Sequence, residues 1–77
     1  MKDLNYYLNL PWEIRLRKIP KEDGGGWMAY ISELGKNRCL GDGRTPQDAV
    51  RNVRRIMKKV IAEYLEEGIE IKEPEEI

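Results

Sequence analysis

Seventy-seven residues suffice for one domain, and a chain this short buries only about 60–65% of the surface its unfolded form exposes, so association with another chain is an expected source of stability. The composition, 40% hydrophobic and 36% charged, allows a core; with no apolar run of about 18 residues, no basic-then-apolar leader, no histidine and one cysteine, Cys39, it argues against a spanning helix, a secretory signal, a disulfide scaffold and Cys/His metal chemistry. A cytoplasmic location follows as an expectation. The formal net charge of zero hides an asymmetry: residues 1–62 carry 13 Lys/Arg against 7 Asp/Glu, and residues 63–77 carry 1 against 7.

The first ten residues fit two patterns. Leu4, Tyr6, Leu8 and Leu10 alternate in phase with Trp12, whereas Leu4, Tyr7 and Leu8 after Asp3 fit a helical turn, which is the preferred reading. Pro11 separates this arm, residues 1–11, from the rest, and its leucines and tyrosines are expected to pack on the sheet face that a helix leaves uncovered.

Trp12, Ile14 and Leu16 alternate with Glu13, Arg15 and Arg17, the period-two signature of a strand with one buried face. Lys18 breaks the phase before Ile19, where a bulge or frayed end is expected. The stretch "PKEDGGG", Pro20 to Gly26, is a turn whose glycines permit positive φ, and Trp27 to Ile31 is strand-like again, giving a hairpin with a long loop. A phosphate loop needs its glycines to feed a helix, and these feed a strand. The second strand is apolar on both faces, with Trp27, Ala29 and Ile31 on one and Met28 and Tyr30 on the other. One helix shields one face, so the other requires a partner strand, the arm or another subunit. Trp27, Met28 and Tyr30, with Tyr6 and Tyr7 of the arm, are the expected oligomer or partner interface.

After the polar turn "SELGKNR", Cys39 and Leu40 open a short third strand that Gly41 to Arg44 are expected to terminate. The stretch "GDGRTPQDAV" raises the question of a phosphate cradle. Thr45 as N-cap, Pro46 at the first helical position and Asp48 at the third account for it as a helix start. It lacks the lysine of a Walker loop and the third glycine of GxGxxG, and Arg44 alone is placed to meet an anion.

Ala49, Val50, Val53, Ile56, Met57, Val60, Ile61, Tyr64 and Leu65 recur at steps of three and four, predicting one long helix that Gly68 ends. Its opposite face carries Arg51, Arg54, Arg55, Lys58 and Lys59, with like charges four residues apart, each mildly unfavourable. The compensating acid is either the tail from Glu63, Glu66 and Glu67, in this or another subunit, or an external polyanion or acidic protein surface; a solvated surface is preferred over nucleic acid. Ile69 and Ile71 alternate with glutamates and suggest a fourth short strand, before Pro74 stops regular structure and residues 72–77 fray as an acidic tail. No enzyme, cofactor or metal is expected: Asp23, Asp42 and Asp48 fall in a hairpin loop, a turn and a helix cap, with no convergent titratable pair.

The order predicts an α+β two-layer sandwich, a three-stranded antiparallel sheet plus a short C-terminal strand packed against one long helix. The segments "YYLNLPWEIRLRKIP", "GGGWMAYISELG", "GDGRTPQDAVRNV" and "YLEEGIEI" followed by Glu73 and Pro74 together resemble the HicB antitoxin family over nearly the whole chain. The resemblance implies the same architecture. It also implies a role: members bind HicA, a small RNA-cleaving toxin, and mask its active site, so the chain is expected to be an inhibitor that oligomerises as a dimer or tetramer and not a catalyst. Many members carry a DNA-binding domain after this one; with the sequence ending at Ile77, operator binding is not expected. Ser32 where the family commonly has proline, the turn extended by Lys36 and Asn37, and Arg44 in place of an acid depart from the family pattern. The alternative reading is a nucleic-acid-binding module using Arg51, Arg54, Arg55, Lys58 and Lys59.

Overall fold

The computed structural model describes residues 2–35 and 37–74. A one-turn helix α1 (Leu4–Leu8) is followed by strands β1 (Arg15–Lys18), β2 (Trp27–Tyr30) and β3 (Leu40–Gly43) and by the long helix α2 (Pro46–Glu67). The strands form one antiparallel sheet in the order β1-β2-β3, with α2 across one face. The molecule is a small α+β domain of two layers, and its shortest dimension between Cα atoms is 16 Å.

Each boundary has a local cause. The Asp3 carboxylate accepts from the Tyr6 amide and starts α1. Three successive glycines with positive φ, Gly24 to Gly26, bring the chain out of a 3₁₀ turn at Lys21–Asp23 and into β2. Thr45 Oγ1 accepts from the Asp48 amide at 3.1 Å, Pro46 occupies the first turn, and Gly68 closes α2 in the left-handed region, as the sequence predicts.

The core lies between α2 and the sheet. Ala29, Ile31, Leu34, Cys39, Ala49, Val53 and Ile61 are essentially inaccessible. The helix does not sit centrally: it packs chiefly on β3, less on β2 and only slightly on β1. Gly41 and Gly43 are the reason. Both face α2, and a Cβ on Gly43 would lie 2.6 Å from the Ala49 amide nitrogen, while one on Gly41 would overlap the backbone of Val53. The two glycines let the helix backbone lie directly on the strand. The Asn52 side-chain amide donates to the Asp42 carbonyl at 2.5 Å and pins the contact.

Several expectations are corrected by this geometry. Gly41 to Arg44 do not end the third strand: Gly41, Asp42 and Gly43 lie within it. Of the bulge or frayed end expected near Lys18, the structure has an end and not a bulge: β1 stops at Lys18, which still pairs with Trp27, and the Ile19 amide donates to the Gly26 carbonyl. The first strand begins at Arg15, because the Trp12 indole N–H donates to the Tyr7 carbonyl and turns the residues before it toward the arm. Leu16 faces the helix side but stays 45% exposed, since α2 is displaced toward the opposite edge. The arm packs on α2 on the helix side, with Tyr7 in the core, and leaves the far sheet face uncovered. Ile69 and Ile71 form no strand: Ile71 drops into the core, Ile69 is exposed, and Glu73 is held by Lys2 and Tyr6. The "SELGKNR" turn contributes Leu34 to the core through a 3₁₀ turn, with the Tyr64 hydroxyl donating to the Leu34 carbonyl. Lys36, and residues 75–77 of the expected frayed tail, lie outside the described residues.

Candidate interaction site

The register assigns every strand residue to a face. Leu16, Ala29 and Gly41 form one row toward α2, and Lys18, Trp27 and Gly43 the next. The intervening rows, Arg15–Tyr30–Leu40 and Arg17–Met28–Asp42, point away from the helix. No element covers these two rows among the described residues. Arg17, Met28, Tyr30, Asn37 and Leu40 border a shallow depression of about 190 Å³ on this face. Met28, Tyr30 and Leu40 are half-buried at its centre, and Arg15, Arg17 and Asp42 are exposed around them.

The five residues expected to share an interface therefore separate. Met28 and Tyr30 stand together on the open face. Trp27 lies on the helix side and packs against the core. Tyr7 is itself core, 9% exposed, because the arm folds back on α2. Tyr6 meets Tyr7 edge-on, 5.1 Å between ring centroids, and sends its hydroxyl to Glu73 Oε1 at 2.8 Å. Sequence alternation found Met28 and Tyr30 but missed Arg17, Leu40 and Asp42. Their signal was the cross-strand register, which no local pattern carries.

Arg51, Arg54, Arg55, Lys58 and Lys59 are all exposed on α2. Arg51 reaches Asp48 at 3.4 Å, and Arg55 makes one hydrogen bond, to Asn52. Among the described residues Arg54, Arg55, Lys58 and Lys59 form no salt bridge. The expected compensation by the chain's own acidic end does not occur there: Glu63, Glu66, Glu67 and Glu70 are exposed without a salt bridge, and Glu73 turns to the N-terminal arm. The helix surface is thus polarised, cationic over its first two thirds and anionic at its C-terminal end.

Lys2, Tyr6 and Glu73 form a clasp between residues far apart in sequence. Lys2 Nζ lies 2.6 Å from Glu73 Oε2 and 5.3 Å from the Tyr6 ring centroid. The hydrogen bond from Lys2, and then that from Tyr6, hold the Glu73 carboxyl below its ordinary range; the same hydrogen bonds to Glu73 raise Lys2 and Tyr6. Cys39 is a different case. Burial alone pushes its thiol up to about 11, so it is an inert core residue and not a nucleophile at neutral pH.

Asp23, Asp42 and Asp48 do not converge. Asp23 sits in the 3₁₀ turn, Asp42 on the open face of β3, and Asp48 in the first turn of α2 beside Arg51. Among the described residues no three His, Cys, Asp or Glu side chains are grouped to hold a metal ion, and no helix is long and apolar enough to cross a membrane. Gly24 to Gly26 and Arg44 border an open depression of about 240 Å³ near the start of α2, with Asp42 also on its rim. The glycines of "GDGRTPQDAV" face the helix, so the cradle question resolves as a close helix–strand contact. Compared with known proteins, the chain matches no family model, no curated protein and no solved structure.

Proposed function

We propose that this chain is a HicB-like interaction domain that associates with itself and masks a HicA-like RNA-cleaving toxin in the cytoplasm. The observation that carries the reading is the open sheet face, where among the described residues Met28, Tyr30 and Leu40 lie without a covering element in a domain of limited core. Association would remove that surface from water and stabilise the fold by mass action. The resemblance of the quoted segments to HicB antitoxins names the partner class. The exposed carboxylates Glu63, Glu66, Glu67 and Glu70 provide an anionic patch that suits a basic RNA-binding surface and would speed encounter with it. Inhibition is by occlusion, with no bond made or broken by this chain.

The test is co-expression with the product of the neighbouring small open reading frame. The expected result is rescue of growth and co-elution of the two proteins; growth arrest in the presence of this chain, with no complex, overturns the toxin-masking role.

A second reading rests on the cationic row of α2. Arg54, Arg55, Lys58 and Lys59, free of salt bridges among the described residues, favour contact with a phosphate backbone. Titration with duplex and single-stranded oligonucleotides at low salt tests it: binding should fall steeply with salt, and Lys58→Glu should weaken it for every sequence alike. No binding at low salt ends this reading.

A further inference from the structure

We propose that the open sheet face is closed by a second copy of this chain, related to the first by a two-fold axis that runs between the two sheets, parallel to β2. This deepens the self-association half of the reading above and rests on it. The argument starts from the two outward rows. One reads Arg17–Met28–Asp42 from β1 to β3, the other Arg15–Tyr30–Leu40.

Rotation by 180° about an axis parallel to β2 keeps each row level and exchanges β1 with β3. Arg17 of each copy then faces Asp42 of the other, twice over. Met28 meets Met28, Tyr30 meets Tyr30, and the aliphatic stem of Arg15 lies over Leu40. A two-fold contact must be complementary to itself, and a face with a cation on one edge, an anion on the other and apolar side chains between satisfies that condition. Neither Arg17 nor Asp42 has a salt bridge in its own chain among the described residues, so both are available. The depression of about 190 Å³ beside Met28 and Tyr30 gives the opposing side chains room. Paired sheets stack at about 10 Å, which side chains of this length span. The second copy approaches from the side opposite α2, leaving the cationic row and the carboxylates at the end of α2 exposed.

Sedimentation velocity of the full chain between about 1 and 200 μM tests the inference, since dimer mass must rise with concentration. Arg17→Asp and Asp42→Arg should each raise the dimer Kd at least tenfold, because each places like charges opposite one another twice. The double variant Arg17→Asp/Asp42→Arg should return to within about threefold of the original Kd. Met28→Asp should be monomeric throughout, and circular dichroism should find all four variants folded. A monomeric parent chain over the whole range, a dimer indifferent to Met28→Asp, or a double variant that stays dissociated overturns the proposal. If the parent is monomeric and Met28→Asp instead abolishes capture of the co-expressed neighbour, the face belongs to that partner and the two-fold dimer is wrong. If the dimer behaves as expected and no neighbour is captured, the dimer stands and the toxin-masking role falls.

Discussion

The two faces of the sheet are built on opposite plans. On the helix side, β3 has no side chains at two alternate positions, Gly41 and Gly43, and the helix backbone rests on the strand. On the far side, the rows centred on Met28 and Tyr30 keep full-sized side chains, and among the described residues no helix or strand lies across them. The difference teaches that apolar character alone does not identify a core face: the helix packs where the strand lacks side chains and the backbones can approach, and the face richer in side chains is the one it leaves open.

The largest expected effect comes from placing a side chain where the helix backbone lies. Gly41→Val should cost about 3 kcal/mol or more, whereas Asp42→Ala, one residue away and facing outward, should change monomer stability by no more than about 0.5 kcal/mol in urea unfolding at low protein concentration. Equal losses at the two positions would break the contrast between faces. Next, Ile61→Ala removes a fully buried side chain from α2 and should cost about 3 kcal/mol in the same measurement. Thr45→Ala removes the cap that starts α2 over β3 and should cost about 1 kcal/mol, read as a lower urea midpoint at unchanged slope.

The smallest effect belongs to the clasp, which lies at the periphery of both faces. The Glu73 carboxyl has a lowered pKa in the fold, so its contribution is complete above the ordinary value of 4.5 and is lost as pH falls through the lowered one. Thermal melts of the parent chain and Glu73→Gln should therefore differ slightly at neutral pH and converge in acid. A gap that widens in acid would reverse the assignment.

Much of the helix side was legible in sequence because its signals are local. The three-and-four spacing from Ala49 to Leu65, the Thr45–Pro46–Asp48 start and the Gly68 stop each act within a turn or two, and α2 has the expected bounds. The hairpin was legible for the same reason. Gly41 and Gly43 suggest a strand terminator because a glycine needed for close approach looks, in one dimension, like a glycine needed for a turn. The off-centre helix follows from those glycines, and with it the exposure of Leu16, which alternation alone assigned to a buried face. The C-terminal residues misled in another way. Ile69 and Ile71 have strand spacing, yet the ion pair from Lys2 and the burial of Ile71 direct this segment toward the arm. On the far face, Met28 and Tyr30 were visible in the doubly apolar strand, while Arg17 and Asp42 became part of the same surface only through cross-strand pairing.

The Lys2–Glu73 contact has a topological consequence. Residues 2 and 73 emerge at one corner, so a short peptide bridge between them would close the polypeptide into a ring with little distortion, and new openings could be cut at the solvent-facing tip around Gly24. Proteins fused before residue 2 and after residue 73 would leave from that shared corner as neighbours, far closer together than the 45 Å length of the domain would suggest.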